Sequence, residues 1–195
     1  MIEQLIHIDE QIFHWINGVW THEWLDFIMP YWREKTTWIP AYTLLLAWVI
    51  WQWRGKAILF VLWTLLLIAA ADGISHRLIK KNVQRLRPCK TEYLQEEVRS
   101  LVPCGSGYSF TSNHATNHFA LAVFWSLSLF PARRWIKILL VAWASTIAYG
   151  QVYVGVHFPL DVLSGALLGS VIGWLIHRGL QRSLTFFDRP TKPIA

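Results

Sequence analysis

Apolar residues run in long blocks along most of the chain instead of alternating with polar ones. Residues 37–53, 56–77, 116–130 with their lead-in, and 134–153 read as spans, since a bilayer crossing takes roughly 20 apolar residues. A fifth block, 159–177, is nearly free of charge apart from Asp161. The first 33 residues differ: Ile2, Leu5, Ile6, Ile12, Phe13, Ile16 and Val19 recur at helical spacing, with Glu3, Asp9 and Glu10 between them. This pattern predicts an amphipathic helix lying in the membrane interface, preferred over a poor first span because acids are costly in hydrocarbon. The expected fold is therefore all-α: a polytopic membrane helical bundle of about five transmembrane helices. An amphipathic N-terminal segment (1–36) precedes it and a short polar cytoplasmic tail (178–195), loosely ordered, follows it.

Composition supports a membrane protein. Apolar residues make up 54% of the 195 residues and charged residues only 15%, well below the usual quarter of a globular chain. Trp38, Trp51, Trp53 and Trp135 sit near the ends of apolar blocks, where amphipathic rings settle at the membrane–water boundary. The length suits one domain. Acidic residues near the N-terminus and the lack of a small-residue cleavage site argue against a cleavable signal peptide. The net charge of +6 is spread between apolar blocks and not over one soluble face, which excludes nucleic acid and favours an anionic lipid surface or a phosphate substrate. The bias of basic residues to cytoplasmic loops puts Arg54 and Lys56, Arg133, Arg134 and Lys137, and the tail with Arg178, Arg182, Arg189 and Lys192 on the inner side. The loop 80–113 then lies outside, although it is itself basic, so its charges are expected to do other work.

With this topology three polar clusters converge on the outer face: Lys80 to Pro88, Ser109 to His114, and Gly150 to Asp161. Lys80 and Arg87 offer fixed positive charge to a phosphoryl group, Arg through its planar fork. Ser112, Asn113 and His114 stand where a helix begins, and free backbone N–H groups there favour an anion; Ser112 or Asn113 is also a natural N-cap. His157 is followed four residues later by Asp161, which Pro159 puts in the first turn of the last helix. A carboxylate there holds one imidazole nitrogen protonated and leaves the other free as a nucleophile, while His114 is suited to protonate a departing oxygen. No carboxylate cluster suggests a catalytic metal, so neither metal nor cofactor is expected.

These clusters resemble the signature of the type-2 phosphatidic acid phosphatase family of lipid phosphate phosphatases. Its pattern is Lys, six residues, Arg-Pro; then Pro-Ser-Gly-His; then Ser-Arg, five residues, His, three residues, Asp. Lys80, Arg87 and Pro88 match the first part in full. Ser112 and His114 match the second, with Thr111 and Asn113 in the Pro and Gly places. His157 and Asp161 match the third, but Gly150 and Gln151 stand where Ser and Arg are expected. The resemblance, over roughly residues 56–177, implies His157 as nucleophile, Asp161 as its partner and His114 as general acid, with Lys80, Arg87, Ser112, Asn113 and Gln151 on the phosphate. Gln151 can donate hydrogen bonds but carries no charge; Lys81 or Arg85 is the expected compensation.

The implied reaction is hydrolysis of a lipid (di)phosphate at the periplasmic or extracellular face of a bacterial cell (inner) membrane. The family's substrates include undecaprenyl diphosphate, phosphatidylglycerol phosphate, phosphatidic acid and lipid A phosphates; outer-face chemistry in a small chain leans toward the first. The rivals are a lipid phosphotransferase and a non-catalytic lipid-phosphate binder, which Gln151 keeps open. Oligomeric state is not legible. Cys89 and Cys104 both fall in the outer loop, where a disulfide is chemically allowed; two free thiols would instead speak for a cytoplasmic loop. Asp72, expected to be buried at span depth, is either functional or hydrogen-bonded to a neighbouring helix.

Overall fold

A computed structural model describes residues 2–187 of the chain; Arg189 and Lys192 of the expected tail lie outside them. The described residues are helical with irregular connections and contain no strand. The helices are α1 (Ile2–His14), α2 (Glu23–Trp32), α3 (Ile39–Trp53), α4 (Ala57–Asp72), α5 (Lys81–Val83), α6 (Asn113–Ser128), α7 (Arg134–Tyr153) and α8 (Pro159–Phe187). A π-helical stretch, Gly73–Lys80, joins α4 to α5. α8 continues helically through Phe187, ten residues past the end of the apolar block, so this part of the expected loose tail is ordered.

Three helical stretches are long and apolar enough to cross a membrane: Lys35–Val83, Arg134–Tyr153 and Pro159–Phe186. The first holds two helices. Its chain turns at Arg54–Lys56, where Arg54 takes a φ of 49°. Tyr42 and Trp48 of α3 meet Trp125 and Phe130, whereas Phe60 and Asp72 of α4 meet Phe124 and Asn117, so α3 and α4 run antiparallel along α6. Leu44, Leu65, Leu139 and Leu167 are exposed on the outside of the bundle, the surface an integral membrane protein turns to lipid.

α6 differs from the other long helices. It has 16 residues, the same length as α4, and is set apart by its burial. Ten of its residues are buried, among them Ala115, Ala120, Ala122 and Phe124. The block read from the sequence as a third span is also the central strut of the bundle. α8 lies against it without side chains intervening: a Cβ on Gly169 would sit 2.1 Å from the Thr116 carbonyl oxygen, and one on Gly173 2.5 Å from that of Ala120. With Gly165, these glycines recur every fourth residue on one face, the small-residue spacing that lets two membrane helices touch backbone to backbone.

The N-terminal segment is more than an interfacial cover. α1 has 13 residues, about 20 Å, too short to span. It turns Leu5, Ile6, Ile8 and Ile12 outward but buries Phe13 against Phe158, with ring centroids 5.4 Å apart. Asp9, expected to stay with the headgroups, is only 2% exposed and docks into the bundle. Asn17 is equally buried; its amide donates to the carbonyls of Arg99 and Tyr153 and its oxygen accepts from the Arg99 N–H. α2 follows α7, with Trp32 Nε1 donating to Thr146 at 3.0 Å.

These packings put the π-helical stretch, the loop that follows it, the start of α6, the end of α7 and the start of α8 at one end of the bundle. Arg54, Lys56, Arg133, Arg134 and the second half of α8 lie at the other, where Ser128 meets His177 at 2.9 Å.

Candidate active site

A cavity of about 630 Å³ opens at the first of these ends. Lys80, Arg87, Asn113, His114 and His157 line it, as do Arg33, Glu34 and His76. Five of the eight site residues read from the sequence thus face one space, from four separate segments.

Each is held by its local structure. The π-helical stretch turns Lys80 inward, and its ammonium donates to the carbonyls of Tyr108 at 2.8 Å and Ser109 at 3.1 Å. Arg87 Nε donates to Gly107 O and Nη1 to Val156 O; the same Nη1 stands 3.5 Å from His157 Nε2. The loop carrying these residues is closed by a disulfide between Cys89 and Cys104. Ser112 caps α6: its hydroxyl oxygen accepts from the Ala115 N–H and its own N–H donates to Asp161 O at 3.0 Å. Its side chain is fully buried and does not line the cavity, so it orders the helix start while Asn113 and His114 face the opening.

His157 is 2% exposed, on the turn between α7 and α8, with two distinct faces. Nδ1 lies 3.4 Å from Asp161 Oδ2 and 3.3 Å from Ser109 Oγ. A carboxylate only accepts, so Nδ1 carries the proton and Nε2 keeps its lone pair toward Arg87 and the cavity. Burial pushes the His157 pKa down to about 4 against the pull of Asp161, so the ring is neutral near pH 7. Burial likewise lowers Arg87 from the usual guanidinium range, and Asp161 offsets part of this.

Asp161 is fully buried behind the ring. One oxygen accepts from the Phe158 N–H at 2.8 Å and from the Ser109 hydroxyl; the other accepts from Arg85 Nη1 at 2.9 Å. Arg85 in turn donates through Nη2 to Asp9 at 2.6 Å, and its guanidinium lies over the Phe158 ring at 4.0 Å. Asp9 also accepts from the Leu160 N–H at 2.7 Å. Arg85 is thus committed to two carboxylates behind the site, and Lys81 is exposed and off the cavity, so neither supplies the charge that Gln151 lacks.

Gln151 corrects a further expectation. It is fully buried and not on the cavity wall; its Oε1 accepts from Arg33 Nε at 3.1 Å. Asp72 is exposed, not buried, and accepts from the amides of Asn113 and Asn117. His118 is satisfied by the His114 carbonyl and the Tyr42 hydroxyl. Among the described residues no three His, Cys, Asp or Glu side chains gather as metal ligands. Sequence reading missed Arg33, the place of Asp9 behind the site and Arg85's tie to Asp161, and it gave Ser109 no role.

A membrane helical bundle that presents a neutral histidine, a second histidine and several cations to one cavity defines a class of phosphate-handling membrane enzyme. Comparison with known proteins agrees. The model of the PAP2 superfamily matches residues 61–184. A lipid A 4'-phosphatase of Bacteroides thetaiotaomicron is 35% identical over 180 residues, covering 91% of this chain and 79% of that protein. An undecaprenyl-diphosphatase of Sulfolobus acidocaldarius is 32% identical over 82% of this chain and 68% of its own length. The crystal structure of LpxE from Aquifex aeolicus superposes with a TM-score of 0.65 at 27% identity, over 88% of this chain and 95% of that one. The chain belongs to the PAP2 superfamily and is an integral membrane lipid phosphatase of that type.

Proposed function

We propose that the protein hydrolyses a phosphate from a lipid (di)phosphate at the outer face of a bacterial inner membrane, through a phosphohistidine at His157. One observation carries this reading: His157 Nε2 opens beside Arg87 onto the cavity that His114 and Lys80 share, while Nδ1 is tied to Asp161. Nε2 attacks phosphorus and the bond from phosphorus to the lipid oxygen breaks. His114 protonates the departing oxygen, releasing a lipid alcohol, or a lipid monophosphate from a diphosphate. His114 then takes a proton from water, whose oxygen attacks the phosphohistidine; inorganic phosphate leaves and Nε2 is restored. Lys80 and Arg87 offset the charge gathered on the phosphoryl oxygens, and Asn113, at the start of α6, adds a polar contact. Asp161 keeps the imidazole in the reactive tautomer and stabilises its charged form.

The outer-face reading rests on two features. The end opposite the site carries Arg54, Lys56, Arg133, Arg134 and Lys137, the bias of cytoplasmic loops. The site-end loop holds the Cys89–Cys104 disulfide, which persists in an oxidising compartment.

For the substrate, a lipid A 4'-phosphate ranks first, because the lipid A 4'-phosphatase of Bacteroides thetaiotaomicron matches over most of both chains. Undecaprenyl diphosphate, favoured by the sequence alone, ranks second on the strength of the Sulfolobus relative. The test is phosphate release from each lipid in micelles with EDTA present, by wild type and by His157→Ala. Release by the wild type alone is expected, faster from lipid A. Equal release by both proteins would refute the assignment of His157, and faster release from undecaprenyl diphosphate would reverse the ranking.

A further inference from the structure

The family signature asks for an arginine at position 151, and this chain has none there. We propose that Arg33, the residue that ends α2, delivers that guanidinium to the phosphoryl group, with Gln151 as the residue that positions it. The inference rests on the phosphatase reading above and names a binding residue outside the region 61–184 that the family model matches.

The geometry is specific. Arg33 lines the same cavity as Lys80, Arg87, His114 and His157, yet is itself only 8% exposed. Its Nε donates to Gln151 Oε1, and Nη1 meets Glu34 at 3.3 Å. A guanidinium has five N–H donors, and no other partner holds Arg33 among the described residues, so the rest of its fork is free for a ligand. Arg33 and Arg87 line the same cavity, where burial and the like charge of Arg87 disfavour the Arg33 cation and Glu34 offsets part of that cost. Such a pair is costly to bury unless an anion joins it.

The departures at positions 150 and 151 fit this arrangement together. An arginine can only donate, so the Gln151 oxygen faces it; a second arginine at 151 would offer no acceptor and would repel it. Gln151 is fully buried, and its Nε2 has no hydrogen-bond partner, a cost tolerated where the amide is needed to hold its neighbour. Gly150 lies where α7 packs on α2: a Cβ there would sit in van der Waals contact with Arg33 Cβ and Met29 Sδ at 3.5 Å. Trp32, the residue before Arg33, is hydrogen-bonded to Thr146 on the same helix as Gln151, so one helix fixes both ends of the contact.

Two readouts test this. The first is inorganic phosphate binding by calorimetry in a His157→Ala background, which needs neither turnover nor the right lipid. The second is kcat/KM for release from a lipid A 4'-phosphate. Arg33→Gln is expected to weaken both by roughly 10- to 100-fold, the size of one charge-assisted contact. Arg33→Lys should recover part of the loss, and Arg33→Gln combined with Gln151→Arg should recover at least about tenfold over the single variant. Gln151→Ala should lower kcat/KM by a smaller factor, and adding it to Arg33→Gln should cost nothing beyond the loss caused by Arg33→Gln alone. If Arg33→Gln unfolds the protein, Arg33→Lys and the double exchange decide. Unchanged phosphate affinity in Arg33→Gln, failure of the double exchange to recover in a folded protein, or a parent that binds no phosphate would each overturn the proposal. Phosphate binding that depends on Arg33 with no release from any lipid would instead retain Arg33 and refute the phosphatase chemistry.

Discussion

Two charged residues of the N-terminal segment reach the site, and their contacts are built on opposite plans. Asp9 of α1 reaches the back of the site, where Arg85 joins it to Asp161; between the two carboxylates, the Leu160 and Phe158 N–H groups and the Phe158 ring, that cluster is closed on nearly every side. Arg33 at the end of α2 reaches the front, held by Gln151 and Glu34 and otherwise open to the cavity. A buried charge whose partners are all protein groups fixes geometry. One left partly unpaired is available to a ligand.

The comparison breaks most severely at the residue both contacts serve. His157→Ala is expected to abolish turnover, and Asp161→Asn to lower kcat about 10³- to 10⁴-fold through loss of the reactive tautomer; single-turnover phosphate release in detergent checks both. Asp9→Ala should act on stability, lowering it by about 3–5 kcal/mol because Arg85 loses one of its two partners in a buried setting. Chemical or thermal unfolding in detergent measures this, and an unaltered transition would show the closed cluster to be dispensable. Arg33→Gln should do the reverse, lowering kcat/KM while the unfolding transition moves little.

Two smaller effects sharpen the picture of the loop and ring that flank these contacts. Replacing both Cys89 and Cys104 by Ser opens a covalent loop of separation 15 and should cost about 3 kcal/mol in the chain-entropy model. The unfolding shift should vanish when wild type and variant are compared under reductant. In a pH profile of kcat/KM, corrected for titration of the substrate phosphate, protonation of His157 Nε2 removes the nucleophile. Because burial holds its pKa near 4, below the ordinary imidazole value of about 6.5, this loss should set in only as pH falls through about 4. Asp161→Asn removes a carboxylate that raises that pKa, so the limb should move to still lower pH. A limb near 6.5 would mean that the ring is more solvated than its 2% exposure implies.

Much of the molecule was legible in the residues. The apolar blocks gave the helices, and the spacing within three polar clusters picked out Lys80, Arg87, Asn113, His114 and His157, all of which line one cavity. Where the reading fell short, the missing information was spatial. Periodicity and hydropathy describe how a helix relates to its own surroundings, not which surroundings it finds. The block 116–130 reads as a span no different from the others, yet α6 is the buried strut, because glycines every fourth residue on α8 let that helix close against it; the glycine spacing was present in the sequence but points to a contact only once its partner is known.

The sequence by itself determined a helical membrane protein and pointed to a histidine-based phosphate site, because hydrophobic blocks and short motifs are encoded in local runs of residues. Only the tertiary structure decided that Asp9 braces the site from behind, that Arg85 is occupied and Gln151 turned away from the cavity, and that Arg33 faces it. The Arg33–Gln151 contact joins residues 118 positions apart, and those of Arg85 with Asp9 and Asp161 each span 76. A long-range ion pair leaves no periodic trace in a chain, since its energy depends on two separate segments being folded against each other.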